Sequence, residues 1–134
     1  MIEENNLTPL EYKDIALSVG WNIPPFNSLS KGLNNSFTVK YVINNETIGM
    51  GRFFSDKGFM YLISDLAVKK EYQNEGIGRI ILNHLVTSIY KEIKEGDSVM
   101  VEAFVDNGKT GFYQKNGFFI NTGVESSVFR WLIK

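Results

Sequence analysis

The sequence predicts an α/β (α+β) sandwich: one domain, residues 1–134, with helices on both faces of a mixed sheet. Three observations point there. An alternating stretch, "SFTVKYVI", is followed by Asn44-Asn45 and a second apolar run, the pattern of a hairpin. "FMYLISDLAV" is almost continuously apolar, as in a central strand covered on both faces. A long helical repeat then separates it from another apolar strand, "DSVMVEAFV", and such a crossover makes the two flanking strands parallel.

"TPLEYKDIALSVGW" opens the ordered chain as a helix. Thr8 suits the N-cap, Pro9 the first helical position and Glu11 the capping box; Gly20 suits the stop. Leu10, Ile15, Leu17 and Val19 supply its apolar face. "NIPPFNSL" breaks the helix, and a short second helix is placed around residues 27–33. Strands follow at about 36–43, over "ETIGMGRFF" and, after the turn "SDKG", over "FMYLISDLAV". From Gly76 to about Glu95, Ile77, Ile81, Leu85 and Ile89 recur every fourth residue, with Ile80 and Ile93 alongside. After "DSVMVEAFV" come a short helix ending at Gly117, an extended "FFI" and a last strand over "VFRWLIK".

Composition removes several classes of function. Fourteen basic and fifteen acidic residues leave a formal charge of −1, so no basic surface recommends nucleic acid or an anionic membrane. Cysteine is absent and His84 is the single histidine, which argues against disulfides, a thiol nucleophile and a thiolate or histidine metal site. No basic-then-apolar leader and no membrane-length apolar run is present, so a cytoplasmic location is the expectation.

"KEYQNEGIGRI", residues 70–80, carries the chemistry. It joins a strand end to a helix start, where first-turn amides lack partners and the helix dipole favours an anion. Gly76 and Gly78 are poor helix formers, but without Cβ they let a phosphate approach the backbone. Gln73 can buttress the loop and Arg79 can add charge. A dinucleotide fingerprint would need glycine where Ile81 stands, and no Walker loop is present. The bland reading is a flexible loop capping a helix.

The wider constellation resembles the GNAT superfamily of N-acetyltransferases. "DLAVKKEYQNEGIGRIILNHLV" fits that family's acyl-CoA segment, an apolar strand followed by Q/R-x-x-G-x-G/A and a helix; Gln73, Gly76 and Gly78 fill it. "DNGKTGFYQKNGF" resembles the second signature through Asn107, Phe112, Tyr113, Gly117 and Phe118. The resemblance covers roughly residues 8–132. It implies a mostly antiparallel sheet of six or seven strands with about four helices, a parallel pair splayed in the middle, and acetyl-CoA as co-substrate. By position, Asp65, Leu66, Ala67 and Val68 would lie along the splayed strand, with backbone groups of Leu66 and Val68 pairing with the pantetheine arm. Amides of Gln73, Asn74, Glu75, Gly76, Ile77, Gly78 and Arg79 would hold the pyrophosphate, while Asn107 and Phe112 would touch the arm.

Acetyl transfer to an amine needs a neutral nucleophile, a donor for the oxyanion, a proton for the thiolate, and in-line positioning. An amide near Leu66 is the candidate oxyanion donor. Tyr113 is the candidate general acid, because a phenol of pKa about 10 stays protonated at neutral pH; the alternative is an aromatic packing on the cofactor. Asp65 is either the base or a carboxylate that positions the amine, with Glu102 a weaker candidate. His84 is expected at a boundary, away from the chemistry. For the acceptor, Trp21 and Phe26 with two prolines, and Tyr61 with Phe53 and Phe54, can form an aromatic wall, although Trp21 can equally plug the core. Arg52 and Arg130 can pair a substrate carboxylate.

These residues predict transfer from acetyl-CoA to a primary amine of a small molecule within a ternary complex. The alternatives are a non-catalytic acyl-CoA-binding module, a larger acyl group, or a protein acceptor. Long exposed strands near each end also suggest a homodimer.

Overall fold

A computed structural model describes residues 1–106, 108–122 and 124–134. Seven strands form one sheet: β1 (Ile2–Glu4), β2 (Phe37–Ile43), β3 (Glu46–Ser55), β4 (Met60–Val68), β5 (Ser98–Phe104), β6 (Phe119–Asn121) and β7 (Val124–Ile133). Their order is β1-β2-β3-β4-β5-β7-β6, antiparallel throughout except for the parallel β4–β5 pair. The helices are α1 (Pro9–Ser18), α2 (Phe26–Asn34), α3 (Ile77–Glu92) and α4 (Thr110–Lys115). No helix among the described residues is long and apolar enough to cross a membrane.

The hairpin forms as the alternation predicts. Asn44 and Asn45 both take positive φ, 50° and 64°, which short polar side chains tolerate and which matches the twist of the flanking strands. The next turn is held by Asp56, whose Oδ1 accepts from the amides of Gly58, Phe59 and Met60 at 2.8–3.1 Å. β1 was not foreseen, because three residues are too few to show a period. Both sheet edges, β1 and β6, are three residues long, so the long edge strands suggested for a dimer are absent.

α3 lies in the middle of one face. Ile77, Ile81, Leu82, Leu85 and Ile89 are buried there, whereas Ile80 points outward because it falls off the stripe. β3 meets that stripe with Gly49 and Gly51. A Cβ on Gly51 would lie 2.9 Å from Leu85 Cδ1 and 3.0 Å from Ile81 Cγ2, so the close approach of helix and strand requires glycine. β4 buries Tyr61 and Ile63 on this face, but Leu62 and Ser64 on the other face are only partly covered. The strand is central, yet its second face is less protected than its apolar run predicts.

α1 is held by its own cap. Thr8 and Glu11 exchange hydrogen bonds of 2.9 and 3.2 Å in the expected capping box. Its buried side is Tyr12, Ile15 and Ala16; Leu10 and Leu17 face solvent, so the apolar face differs from the one predicted. Aromatic Tyr12 takes the place a purely aliphatic stripe would have filled. Glu11 also reaches the sheet, accepting from Lys40 Nζ on β2 at 2.9 and 3.0 Å and from the Thr47 hydroxyl on β3. Burial alone would raise its pKa, but the bonds from Thr47 and Lys40 outweigh it and lower the carboxyl from 4.5 to about 2.

Two predictions follow from this packing. Gly51→Val forces side chains into the Leu85–Ile81 contact and should cost about 1–3 kcal/mol, read as a lowered midpoint in thermal unfolding. Glu11 has a depressed native pKa, so its contribution is complete above the unfolded value of 4.5 and fades as pH falls toward about 2. Unfolding temperatures measured across that window should fall less steeply in Glu11→Gln than in the native sequence; equal slopes would remove Glu11 as the source.

Candidate active site

The site begins with a strand pair that comes apart. β4 and β5 pair from Met60↔Met100 to Ile63↔Ala103. Beyond that point Ser64 keeps its partner Arg52 on β3, and Phe104 keeps Ser127 on β7, but the two strands no longer pair with each other. The cause lies in β4. Ser64 opposes Arg52 and Ala67 opposes Met50, so Asp65 and Leu66 together oppose Gly51 alone. Asp65 takes φ 58°, the left-handed conformation of a bulge that ordinarily calls for glycine and that aspartate tolerates better than most residues.

The bulge puts two successive side chains on one face. Ser64 and Asp65 both meet Arg52: Arg52 Nε donates to Asp65 Oδ2 at 2.6 Å, and Ser64 Oγ to the same oxygen at 3.2 Å. Asp65 Oδ1 accepts from the Tyr12 hydroxyl of α1 at 2.9 Å. Burial first, then the Asp65 charge, pushes the Tyr12 phenol well above its ordinary value of 10.0. Arg52 also donates to Ser36 Oγ at 2.9 Å. Arg52 is therefore engaged within the protein rather than free for a substrate carboxylate.

Past β4 the chain turns through a 3-10 segment, Lys70–Tyr72, into the glycine loop. Gln73 Nε2 donates to the Val68 carbonyl at 2.8 Å, the buttress its position suggested; that carbonyl already holds one bond before any ligand arrives. Gly76 caps α3 with φ 85° and no side-chain cap. The first helical bond joins Ile80 N to Gly76 O at 3.1 Å, which leaves the amides of Ile77, Gly78 and Arg79 without helical partners. A Cβ on Gly76 would meet nothing within 4 Å, so Gly76 is required by its backbone angle rather than by crowding. A Cβ on Gly78 would sit 3.6 Å from Phe112 Cζ, an ordinary contact; here glycine serves to keep the floor of the cleft open.

The second motif forms the opposite wall. Phe112 packs edge-on against Tyr113, centroids 5.3 Å apart, and Tyr113 against Phe118 at 5.6 Å. Gly117 ends α4 with φ 90°. Tyr113 is buried, and burial first, then the charge of Asp106, raises its phenol well above 10.0. Asp106 Oδ2 accepts from Trp21 Nε1 at 2.7 Å, bridging the loop after α1 to the end of β5. Trp21 thus lines the cleft and also packs against the core beneath α1 and α2.

These parts enclose a cleft of about 1040 Å³. It brings together Asp65, Leu66, Ala67, Val68, Gln73, Asn74, Gly76, Ile77, Gly78, Arg79, Phe112, Tyr113 and Trp21 from the residues read in the sequence. Glu75 is exposed and does not line it. Phe26 is exposed at the start of α2, also away from the lining. Tyr61 faces the α3 core instead, because the strand alternation carries it there with Ile63; its hydroxyl bonds Glu92 at 2.7 Å. Burial and that bond push its pKa up to about 12. Asn107 lies outside the described residues. His84 pairs with Glu4 on β1, a boundary role, and Glu102 is not part of the lining.

The sequence reading missed Tyr12, Asp106, Lys70 and Lys109, all of which line the cleft. Lys70 and Lys109 flank the two motifs, so a search for cations beside a phosphate loop would have found them. Tyr12 had no local signal, since it meets Asp65 from 53 positions away. Unpaired helix amides, with Lys70, Arg79 and Lys109 in the lining, suit a diphosphate, and the unpaired side of β4 suits an extended amide-bearing arm.

Comparison with known proteins agrees with this geometry. The model of the acetyltransferase (GNAT) domain matches residues 35–119. An uncharacterized N-acetyltransferase, ycf52, of Pyropia yezoensis is 25% identical over 118 residues, covering 84% of this chain and 66% of that protein. The chain spans 56–66% of the length of its ycf52 relatives. A crystal structure from meticillin-resistant Staphylococcus aureus, described as a protein of unknown function and probable acetyltransferase, superposes with TM-score 0.78 and 30% identity over 94% of this chain and 95% of the other. A GNAT acetyltransferase from Elizabethkingia anophelis, solved with acetyl-CoA bound, shares the fold at TM-score 0.69 and 19% identity, covering 100% of this chain and 97% of its own. With its splayed strand pair, its glycine loop and a domain match across most of the sheet, the chain belongs to the GNAT family of acetyltransferases.

Proposed function

We propose that this protein transfers the acetyl group of acetyl-CoA to a primary amine of a small molecule, by direct attack within a ternary complex. One observation carries the reading: a single cleft joins the open start of α3 to a buried phenol, Tyr113, across an unpaired strand edge. Acetyl-CoA supplies the activated acyl group as a thioester. The amides of Ile77, Gly78 and Arg79, with Lys70 and Lys109, hold its diphosphate. The β4 edge near Leu66 orients the arm and presents an amide to the developing oxyanion.

Tyr113 donates the proton that the departing thiolate takes up, and its phenolate is reprotonated by the proton the amine nitrogen sheds on becoming the amide. Its surroundings favour the neutral phenol, which keeps the acid loaded at every working pH. Asp65 has a different task from the one its position first suggests. About four lone-pair sites serve a carboxylate, and Tyr12, Arg52 and Ser64 already occupy three. We assign it to holding Tyr12 and the bulge in place, and the amine enters as the neutral base after losing its proton to water. Trp21, with Asp106 behind it, walls the acceptor side, where an aromatic face and a carboxylate suit a cationic amine before deprotonation.

The test is a panel of amines incubated with acetyl-CoA, with free thiol as the readout. Turnover with at least one small primary amine is expected; no thiol release across the panel, despite tight CoA binding, would favour a binding module. Tyr113→Phe should lower kcat by roughly 10²–10⁴-fold while leaving CoA affinity near that of the native chain. In the native enzyme the rate should rise with pH through the amine's own titration, without an alkaline fall below about pH 10. Full activity in Tyr113→Phe would refute the acid assignment.

A further inference from the structure

Arg130 is a charged residue in a core row. Residues opposite one another share a face, and so do alternate residues of a strand. Arg130 lies opposite Val101 of β5, and Val128 and Leu132 stand two residues to either side of it on β7. Those three are buried in the core on the α3 side, so the stem of Arg130 enters the same side. Arg130 does not line the cleft, so it is not available to the substrate carboxylate that its type suggests. Its Nε is buried and has no hydrogen-bond partner among the described residues. A buried donor without a partner is unfavourable, and its presence in a core row calls for a reason in the rest of the group.

The rest of the guanidinium holds the end of α4. Nη1 donates to the carbonyl of Asn116, the C-cap of that helix, at 3.3 Å. Cζ lies over the ring of Phe118, 5.7 Å from its centroid, and that ring packs edge-on against Tyr113. Asn116 carries the contact further. Its Nδ2 donates to the Phe112 carbonyl at 2.8 Å, and its amide and that of Phe118 both donate to the Tyr113 carbonyl at 3.0 Å. A Cβ on Gly117 would come within 3.0 Å of Arg130 Nη1, so the glycine serves the approach of the guanidinium as well as the left-handed angle. α4 needs such a support: it has six residues and no side-chain hydrogen bond at its N-cap, too little to persist by itself. A cation at its C-terminus also suits the helix dipole.

We propose that Arg130 is a positioning residue for acetyl transfer: through Asn116 and Phe118 it fixes the last turn of α4, and with it the place of the Tyr113 ring. The inference rests on the acid role given to Tyr113 above and adds the group that keeps that acid in line. Arg130 lies outside the cleft, so its contribution reaches the chemistry through Tyr113. Two consequences separate it from an ordinary core residue. Loss of the guanidinium lowers kcat and leaves KM for acetyl-CoA near its native value, because the amides at the start of α3 are untouched. The loss also disappears once the phenol is gone, since two groups that act in one line are not additive.

Arg130→Met keeps an unbranched stem and removes the guanidinium. With acetyl-CoA and the amine of the panel that turns over fastest, kcat should fall about 10–100-fold, the scale of a misplaced catalytic group, with KM for acetyl-CoA within about twofold. In a Tyr113→Phe background the same substitution should change kcat by less than about twofold. Hydrogen exchange gives a readout without turnover. The amides of Asn116, Gly117 and Phe118 should exchange on the order of tenfold faster in Arg130→Met, and those of α3 at the native rate. Arg130→Lys, which keeps the charge but not the planar fork, should show a smaller loss of the same kind and serves if Arg130→Met does not fold. A native kcat in Arg130→Met, losses that multiply with those of Tyr113→Phe, or an equal rise of exchange in α3 and α4 would overturn the proposal. Full activity in Tyr113→Phe, or no turnover with any amine, would strike the reading of function instead. Exchange at α4 then decides alone: faster exchange keeps Arg130 as the support of that turn, and unchanged exchange refutes it.

Discussion

The arrangement of the site depends on one local departure from strand geometry, the bulge at Asp65 and Leu66 opposite Gly51. An unbroken β4 would continue its pairing with β5 beyond Ile63, and the sheet would have no gap at its centre. The extra residue instead rotates Asp65 away from the α3 core and onto the α1 side, where Arg52, Ser64 and Tyr12 bind it. The left-handed backbone at Asp65 is unfavourable by itself. It persists because three hydrogen bonds on one side and the Gly51–Ile81–Leu85 contact on the other fix the strand from both faces. The cleft is thus a consequence of packing rather than of a separate loop added to the fold.

A second constraint keeps α1 over that gap. Glu11 ties the helix start to Lys40 and Thr47, and Lys69, directly after β4, reaches Glu46 at 2.8 Å and Asp14 on α1. Burial works against the Lys69 charge, but the two carboxylates outweigh it and raise its pKa. Both clamps join α1 to the sheet beside the bulge, which keeps Tyr12 within hydrogen-bonding reach of Asp65. Trp21 then extends the same body across the cleft to Asp106.

Much of this could be read from the residues, for identifiable reasons. The capping box, the Asn-Asn turn and the i+4 stripe are local, and local patterns survive folding: Thr8–Glu11, Asn44–Asn45 and Ile77–Ile89 all form as predicted. The glycine loop was legible because Gln73, Gly76 and Gly78 lie in one short stretch. The acceptor side was less so. Tyr61 and Phe26 were plausible wall residues by type, but one turns inward by strand parity and the other outward at a helix start. Tyr12 and Asp106 became visible only when residues far apart in sequence met, as they do at 53 and 85 positions of separation. Asp65 was noticed for its charge, while its positive φ, the property the cleft depends on, leaves no mark in a sequence that shows no glycine there.

The lining of the cleft is electrostatically mixed. At the start of α3, the amides of Ile77, Gly78 and Arg79 and the helix dipole offer positive potential to an anion, and Lys70, Arg79 and Lys109 also line the cleft. Asp106 and Asp65 add carboxylates to the same lining, and burial and the nearby Asp106 charge favour the neutral form of Tyr113. A carboxylate beside a phenol discourages phenolate, so the Asp106 charge works in the same direction as burial at Tyr113. Asp106 thus reaches both walls, accepting from Trp21 and adding its charge to the surroundings of Tyr113. Asp65, on β4, is occupied instead by Tyr12, Arg52 and Ser64, the bonds that accompany the bulge.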